Sequence, residues 1–213
     1  MKTIKLILFA SIVSLYGCMN ANPKNDKLLA EATITEIHEE SPTIQVALLL
    51  DTSNSMDGLI DQARAQLWDI VNELSLAKCH NEAPSLSIAL YEYGNDNLSA
   101  RNGYVRKVLD FTSDLDDVSK SLFSLTTNGG SEYCGTVVKN ATGELGWKNK
   151  AESLKLIFIA GNEAYSQGNI SYVDASQNAK EKGITVNTIY CGNYAHGISS
   201  YWQEGAQLTG GDY

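Results

Sequence analysis

The feature that most constrains the fold is an unbroken apolar run, Val46 to Leu50, which stops at Asp51. A run without alternation is typical of a strand that helices cover on both faces of a parallel sheet. Ser53 and Ser55 lie on the turn that follows, so one carboxylate and two hydroxyls come directly after the strand. Open α/β sheets place their binding sites at the carboxyl ends of such strands, and oxygen ligands favour Mg, Mn or Ca over softer metals. The sequence therefore predicts a divalent-cation site at this edge.

Strand and helix patterns alternate from Thr43 onward, which predicts an α/β fold with a doubly wound, Rossmann-like, mostly parallel sheet. The predicted strands cover residues 43–50, 85–93, 104–111, 155–159 and 185–190, and the predicted helices cover 58–77, 114–125, 133–147, 171–182 and 199–208. The second and third strands are joined by a short, turn-rich segment that begins at Gly94. A connection of this kind predicts an antiparallel hairpin at one edge of the sheet.

Two further polar loops are expected at the same edge as the turn after Asp51. The second loop, Gly129 to Gly135, opens a helix, and the third loop, Ala160 to Glu163, follows the apolar strand that ends at Ile159. That strand is expected beside the one that ends at Leu50. The first and third loops should therefore flank one crevice.

The segment Asp51-Thr52-Ser53-Asn54-Ser55 resembles the DxSxS signature of the von Willebrand factor A domain, whose metal-ion-dependent adhesion site (MIDAS) binds a divalent cation. The resemblance extends over most of residues 43–213, and the second and third loops resemble those of exported bacterial members. It implies that Asp51, Ser53 and Ser55 are metal ligands. It also implies a hydroxyl ligand from the second loop, for which Ser131 is the candidate and Thr127 the alternative.

The third loop departs from the family pattern, because Ala160-Gly161-Asn162 stands where Thr-Asp-Gly is usual. Asn162 offers a carbonyl oxygen and Glu163 a carboxylate, so both join the candidate metal residues. Since the number of charged ligands tunes affinity, the missing aspartate is expected to weaken the site. We therefore expect that Gly161→Asp tightens cation binding.

The beginning of the chain has the pattern of an export signal. Lys2 and Lys5 precede an apolar stretch, and Leu15-Tyr16-Gly17-Cys18 resembles the bacterial lipobox. Residues 1–17 are thus predicted to be a signal peptide of the lipoprotein type, with Cys18 lipidated and residues 18–42 a tether. The domain covers 43–213, and it stops where a fold of this type would begin its last strand and helix. The chain is therefore either unusually short or a fragment. These features predict a lipid-anchored protein of the bacterial cell envelope, periplasmic or associated with the outer membrane.

The charge of the chain limits its partners. The whole sequence has a formal net charge of −9, and removing Lys2 and Lys5 with the signal makes the mature chain more acidic still. Such a surface disfavours nucleic acid and anionic lipid headgroups, so any membrane association should come from the N-terminal lipid alone. Cys79, Cys134 and Cys191 remain in the mature chain, and an odd number permits at most one disulfide among them.

These observations favour a binding module over an enzyme. A divalent cation held by the first loop and by Ser131 would keep one coordination position for a carboxylate of a partner protein, which an acidic domain could not otherwise attract. No His-based dyad, phosphate loop or dinucleotide fingerprint is present in the sequence. Two alternatives remain open at this point: a scaffold of the same fold without a metal, and a metal-assisted hydrolase.

Overall fold

A computed structural model describes residues 42–78, 82–150 and 153–213. The predicted signal peptide, Cys18 and nearly all of the predicted tether lie outside these residues, as does Cys79. Within them, Cys134 is a buried free thiol and Cys191 a half-buried one. No helix of the described ranges is long and apolar enough to cross a lipid bilayer.

The described residues form a five-stranded sheet with the order β3-β2-β1-β4-β5. The strands are β1 (Thr43–Asp51), β2 (Ser85–Tyr93), β3 (Val105–Thr112), β4 (Ser153–Gly161) and β5 (Thr185–Tyr190). β1 pairs in parallel with β2 and β4, β4 pairs in parallel with β5, and β3 runs antiparallel to β2 at one edge. The predicted fold class, including the antiparallel edge hairpin, is therefore confirmed.

β1 is central and buried along its whole length, as its continuous apolar run predicts. Its alternate residues enter two separate cores, because successive side chains in a strand point to opposite faces. Ala47 and Leu49 belong to one core, and Val46, Leu48 and Leu50 to the other.

Six α-helices lie among the residues that the structure describes. They are α1 (Ile60–Ser75), α2 (Leu115–Ser124), α3 (Cys134–Glu144), α4 (Tyr172–Glu181), α5 (Tyr194–Ser199) and α6 (Trp202–Gln207). Apolar residues of α1 and α2 pack in the core that holds Leu48, while those of α3, α4 and α6 pack in the core that holds Leu49.

The helix expected at 199–208 is present as α6, which begins at Trp202, and the short helix before it, α5, was not predicted. Two short helices, α5 and α6, meet at Tyr201, whose backbone is left-handed (φ 73°). A non-glycine residue in this conformation interrupts the helical hydrogen-bond pattern. The break turns the chain so that Trp202 is fully buried against the sheet.

Candidate metal centre

The pairing of the strands brings the three predicted loops to one edge. β1 and β4 are parallel neighbours, with Leu50 opposite Ala160, so the first and third loops leave side by side as expected. The second loop joins them through backbone hydrogen bonds, from Asn54 N to Gly129 O (2.8 Å) and from Asn128 N to Thr52 O (2.9 Å). The first and second loops thus form one backbone-bonded unit.

Asp51 ends β1 at the base of this edge and is fully buried. Its Oδ1 accepts a hydrogen bond from the backbone N–H of Ser53 (2.8 Å), whereas its Oδ2 has no partner among the described residues. Burial raises the pKa of Asp51 to about 7, and the charge of Glu132 adds to that rise, while the N–H and hydroxyl of Ser53 and the N–H of Asn162 oppose part of it. A buried carboxylate oxygen without a partner needs a compensating group, and a cation is such a group.

Ser53, Ser55 and Asn162 form a hydrogen-bonded chain across the edge. The hydroxyls of Ser53 and Ser55 are 2.7 Å apart, and Ser55 Oγ donates to Asn162 Oδ1 at 2.8 Å. The Asn162 amide in turn donates to the backbone carbonyl of Ser55 at 2.9 Å. Asn162 therefore contacts Ser55 through both the oxygen and the nitrogen of its amide, and it holds this part of the first loop in position.

Glu132 is a residue of this site that the sequence-based ligand set lacks. It is 3% exposed, and its Oε2 has no hydrogen-bond partner among the described residues. Burial raises its pKa, the side chains of Ser53 and Ser55 lower it in part, and the charge of Glu163 raises it further. Two buried carboxylates, Asp51 and Glu132, thus flank the hydroxyls of the first loop.

Gly94, directly after β2, makes room for both carboxylates. A Cβ at this position would lie 2.7 Å from Asp51 Oδ1, 2.9 Å from Glu132 Cγ and 3.4 Å from Ser53 Cβ. Its backbone is also left-handed, with φ of 81°, which glycine adopts without strain. The absence of a side chain at residue 94 therefore lets Asp51 and Glu132 approach each other.

The other candidate ligands lie on the second and third loops. Ser131 is half-buried, and its backbone pairs with that of Gly94 in an isolated antiparallel bridge, which carries the next residue, Glu132, to the site. Thr127 instead donates its hydroxyl hydrogen bond to Asp57. Glu163 is exposed, and it affects the site through its charge on Glu132.

The expectation that Gly161→Asp would restore a ligand was wrong, because there is no room for a side chain at residue 161. A Cβ there would lie 2.4 Å from the hydroxyl of Tyr93, 3.0 Å from the Trp202 ring and 3.1 Å from Asp51 Cβ. Tyr93 is itself fixed, since its buried hydroxyl donates to Ala160 O at 3.1 Å. Gly161 therefore lets β4 pack closely against the aromatic core beneath the site.

The donor groups suit a hard divalent cation. Two carboxylates, two hydroxyls and an amide are all oxygen donors of the kind that Mg, Mn and Ca prefer. In the part of the chain that the structure describes, there is no cluster of three or more His, Cys, Asp or Glu side chains that could hold a metal. Any cation here would therefore depend on the serine hydroxyls as well as on Asp51 and Glu132.

The fold and this edge define a Rossmann-like α/β domain with an oxygen-donor crevice at the carboxyl ends of its central strands. The sequence model of the von Willebrand factor type A domain matches residues 45–196. The chain belongs to this family.

Solved structures with the same fold are distant in sequence. The protein BatB from Bacteroides thetaiotaomicron, described as a conserved hypothetical protein, has 18% identity and a TM-score of 0.58, over 80% of this chain and 88% of that one. An aerotolerance-related membrane protein from Bacteroides fragilis has 16% identity and a TM-score of 0.54, over 80% of this chain and 90% of that one. Proximal thread matrix protein 1 from the mussel byssus, with a zinc-occupied MIDAS motif, has 14% identity and a TM-score of 0.52, over 70% of this chain and 35% of that one. No curated protein matches the sequence significantly.

Proposed function

We propose that this domain is a cation-dependent protein-binding module of an exported bacterial lipoprotein. The observation that carries the proposal is the fully buried Oδ2 of Asp51, which makes no hydrogen bond of ordinary length and angle with any described residue and lies beside the hydroxyls of Ser53 and Ser55. Leaving such an oxygen unpaired costs about 1–3 kcal/mol or more, because water has been removed and nothing has replaced it. A divalent cation would remove that cost and would give the crevice a positive charge.

A cation would be held by Asp51, Ser53 and Ser55, and it would supply an attractive charge to a partner. The formal net charge of −9 repels acidic proteins at long range. A cation at the sheet edge offers one point of attraction on this acidic surface, and a carboxylate is the side chain that a hard cation binds best. We therefore propose an aspartate or glutamate of a partner protein as the group that completes the site.

The proposal includes no catalysis. The described residues contain one histidine, His196, and its ring is hydrogen-bonded to the hydroxyl of Tyr190 rather than to a residue of the crevice. Binding through a cation needs no general base or nucleophile. The mussel protein with the zinc-occupied MIDAS motif supports the idea that this fold can hold a metal at the corresponding place.

The placement in the cell envelope rests on the start of the sequence. The basic residues, the apolar stretch and Leu15-Tyr16-Gly17-Cys18 support export and lipidation at Cys18. A lipid at that residue would hold the domain at a membrane surface, where a protein-binding module meets other envelope proteins.

The test is titration calorimetry of the domain with Mn²⁺ and Mg²⁺, together with Asp51→Ala. We expect binding by the parent and none by the variant, while both give the same far-UV circular dichroism. A second step adds acetate to the Mn²⁺-loaded parent and follows the relaxation rate of water protons, which should fall as acetate displaces a coordinated water. A parent that binds neither metal at millimolar concentration would favour the alternative of a metal-free scaffold. Hydrolysis of phosphoesters or peptides only in the presence of metal would favour the hydrolase instead.

A further inference from the structure

We infer that Glu132 supplies the second carboxylate of the cation site, in place of the third-loop aspartate that this chain lacks, and that Asn162 positions Ser55. The inference rests on the proposed function, since it names the residues through which that same site holds its cation. It changes the ligand set that the sequence alone suggests, because it adds a residue outside that set and gives Asn162 a different role.

The first observation is the convergence of side chains around Gly94. The position that a Cβ would take at residue 94 is within 3 Å of both Asp51 Oδ1 and Glu132 Cγ, so these two side chains are neighbours. The same position is 3.4 Å from Ser53 Cβ. Glu132 thus lies beside the side chains of both Asp51 and Ser53.

The second observation is that both carboxylates are buried and incompletely paired. Asp51 is 0% exposed and Glu132 is 3% exposed, and each has one oxygen with no partner in the described part of the chain. None of the ion pairs among these residues includes either carboxylate. Two like charges removed from water destabilise each other unless a cation or a proton lies between them.

The third observation explains how Glu132 reaches the crevice. The backbone of Ser131 pairs with Gly94, and the N–H of Glu132 donates to Gln167 Oε1 at 2.6 Å. These two contacts fix the backbone at Ser131 and at the N–H of Glu132. The glutamate side chain is therefore directed into the edge by neighbours from two other parts of the chain.

The fourth observation is that the third loop has no side chain at Gly161, where the resemblance implies an aspartate, and offers an amide at the next residue, Asn162. Asn162 uses both ends of this amide on Ser55, through Ser55 Oγ and the Ser55 carbonyl. It therefore holds a ligand-bearing residue in place. The number of carboxylates at the site stays at two, because Glu132 on the second loop replaces the charge that is absent from residue 161.

The variant that tests the inference is Glu132→Gln, which keeps the size and removes the charge. Glu181→Gln is the matched control, because Glu181 is an exposed glutamate at the end of α4, just before β5 begins and so at the opposite end of the sheet from the site. In titration calorimetry with Mn²⁺, we expect Glu132→Gln to weaken binding by about tenfold or more and Glu181→Gln to change it by less than about threefold. In the absence of metal at pH 8, Glu132→Gln should melt at a higher temperature than the parent, because it removes one of two buried like charges.

A direct readout covers the case in which Glu132→Gln does not fold. Electron–nuclear double resonance on the Mn²⁺-loaded Glu163→Gln protein, with ¹³C-labelled glutamate carboxyl groups, should show a strong ¹³C coupling from a coordinated glutamate. No such coupling in the Mn²⁺-loaded Glu163→Gln protein, or equal Mn²⁺ affinity in Glu132→Gln and the parent, would overturn the role of Glu132 and leave the proposed function standing. A parent that binds no Mn²⁺ would overturn the proposed function itself.

Discussion

Asp51→Asn should stabilise the metal-free domain although it removes a ligand. The substitution keeps the shape of the side chain and an oxygen that can accept from the Ser53 N–H. It removes a charge that is fully buried and incompletely paired. Its new amide N–H groups lie among hydroxyl and carboxylate acceptors, so the site gains donors that it lacks in the absence of a cation.

The size of the effect follows from the pKa of Asp51. Burial is the main reason that this pKa rises from 3.8 to about 7, and each unit corresponds to about 1.4 kcal/mol. Well below pH 3.8, which is the ordinary pKa of this group, the carboxyl is protonated in both the folded and the unfolded chain, so its contribution to stability is fully present. Between pH 4 and 7 the unfolded chain ionises first, and the metal-free domain loses about 4 kcal/mol of unfolding free energy through this group. Asp51→Asn has no such loss.

Urea denaturation in EDTA at pH 4, 6 and 8 measures this difference. We expect the variant to exceed the parent by about 2–4 kcal/mol at pH 8 and by much less at pH 4. Mn²⁺ at one hundred times its dissociation constant should then stabilise the parent by about 2.7 kcal/mol and the variant not at all. A variant that is less stable than the parent at pH 8 in EDTA would show that Asp51 is paired in the metal-free domain, and the electrostatic reasoning would fail.

Three other substitutions test the surroundings of the site and the anchor. Gly161→Ala should lower the unfolding free energy by about 1–3 kcal/mol, because its Cβ meets the Tyr93 hydroxyl. Gly143→Ala is the control: residue 143 is an exposed helical position with open space around it, so the alanine should raise the unfolding free energy by about 0.5–1 kcal/mol. Equal effects of the two substitutions in urea denaturation would contradict this packing. Gly94→Ala should destabilise the domain and weaken Mn²⁺ binding together, and unchanged calorimetric affinity would show that the carboxylates do not need the space at residue 94. Cys18→Ser should release the protein from the membrane fraction, and mass spectrometry that finds an unmodified N-terminus beyond residue 18 in the parent would exclude a lipid anchor.

The arrangement of the strands could be predicted because the pattern of apolar residues along each strand indicates which of its faces are buried. The unbroken apolar run of β1 indicates a strand covered on both faces, and this strand is central and fully buried. The predicted bounds of β5, 185–190, are those of the structure. The doubly wound arrangement predicted that β1 and β4 are neighbours, and they are. Because parallel neighbours end at the same edge of a sheet, this prediction also placed the first and third loops side by side.

The role of Glu132 could not be predicted in this way, because its burial depends on distant contacts. Gly94 leaves the space beside it and Gln167 binds its backbone, and neither relation appears in the local sequence around residue 132. An acidic residue in a glycine-bearing loop is ordinarily exposed to solvent. The break at Tyr201 was missed for a similar reason, since the residues around it are compatible with one continuous helix and the burial of Trp202 decides the turn.

Gly94 contributes no donor atom, yet it has a consequence for how domains of this kind are recognised in genomes. Signatures of metal sites record the residues that hold the ion and omit those that leave room for them. In this chain the glycine directly after β2 is sterically required, and it allows the carboxylate of Glu132, a residue outside the signature, to approach Asp51. A homologue without the third-loop aspartate should therefore be judged by whether a glycine at this position occurs together with an acidic residue in the second loop. Scoring that pair would separate domains that have relocated a charge from those that have lost it.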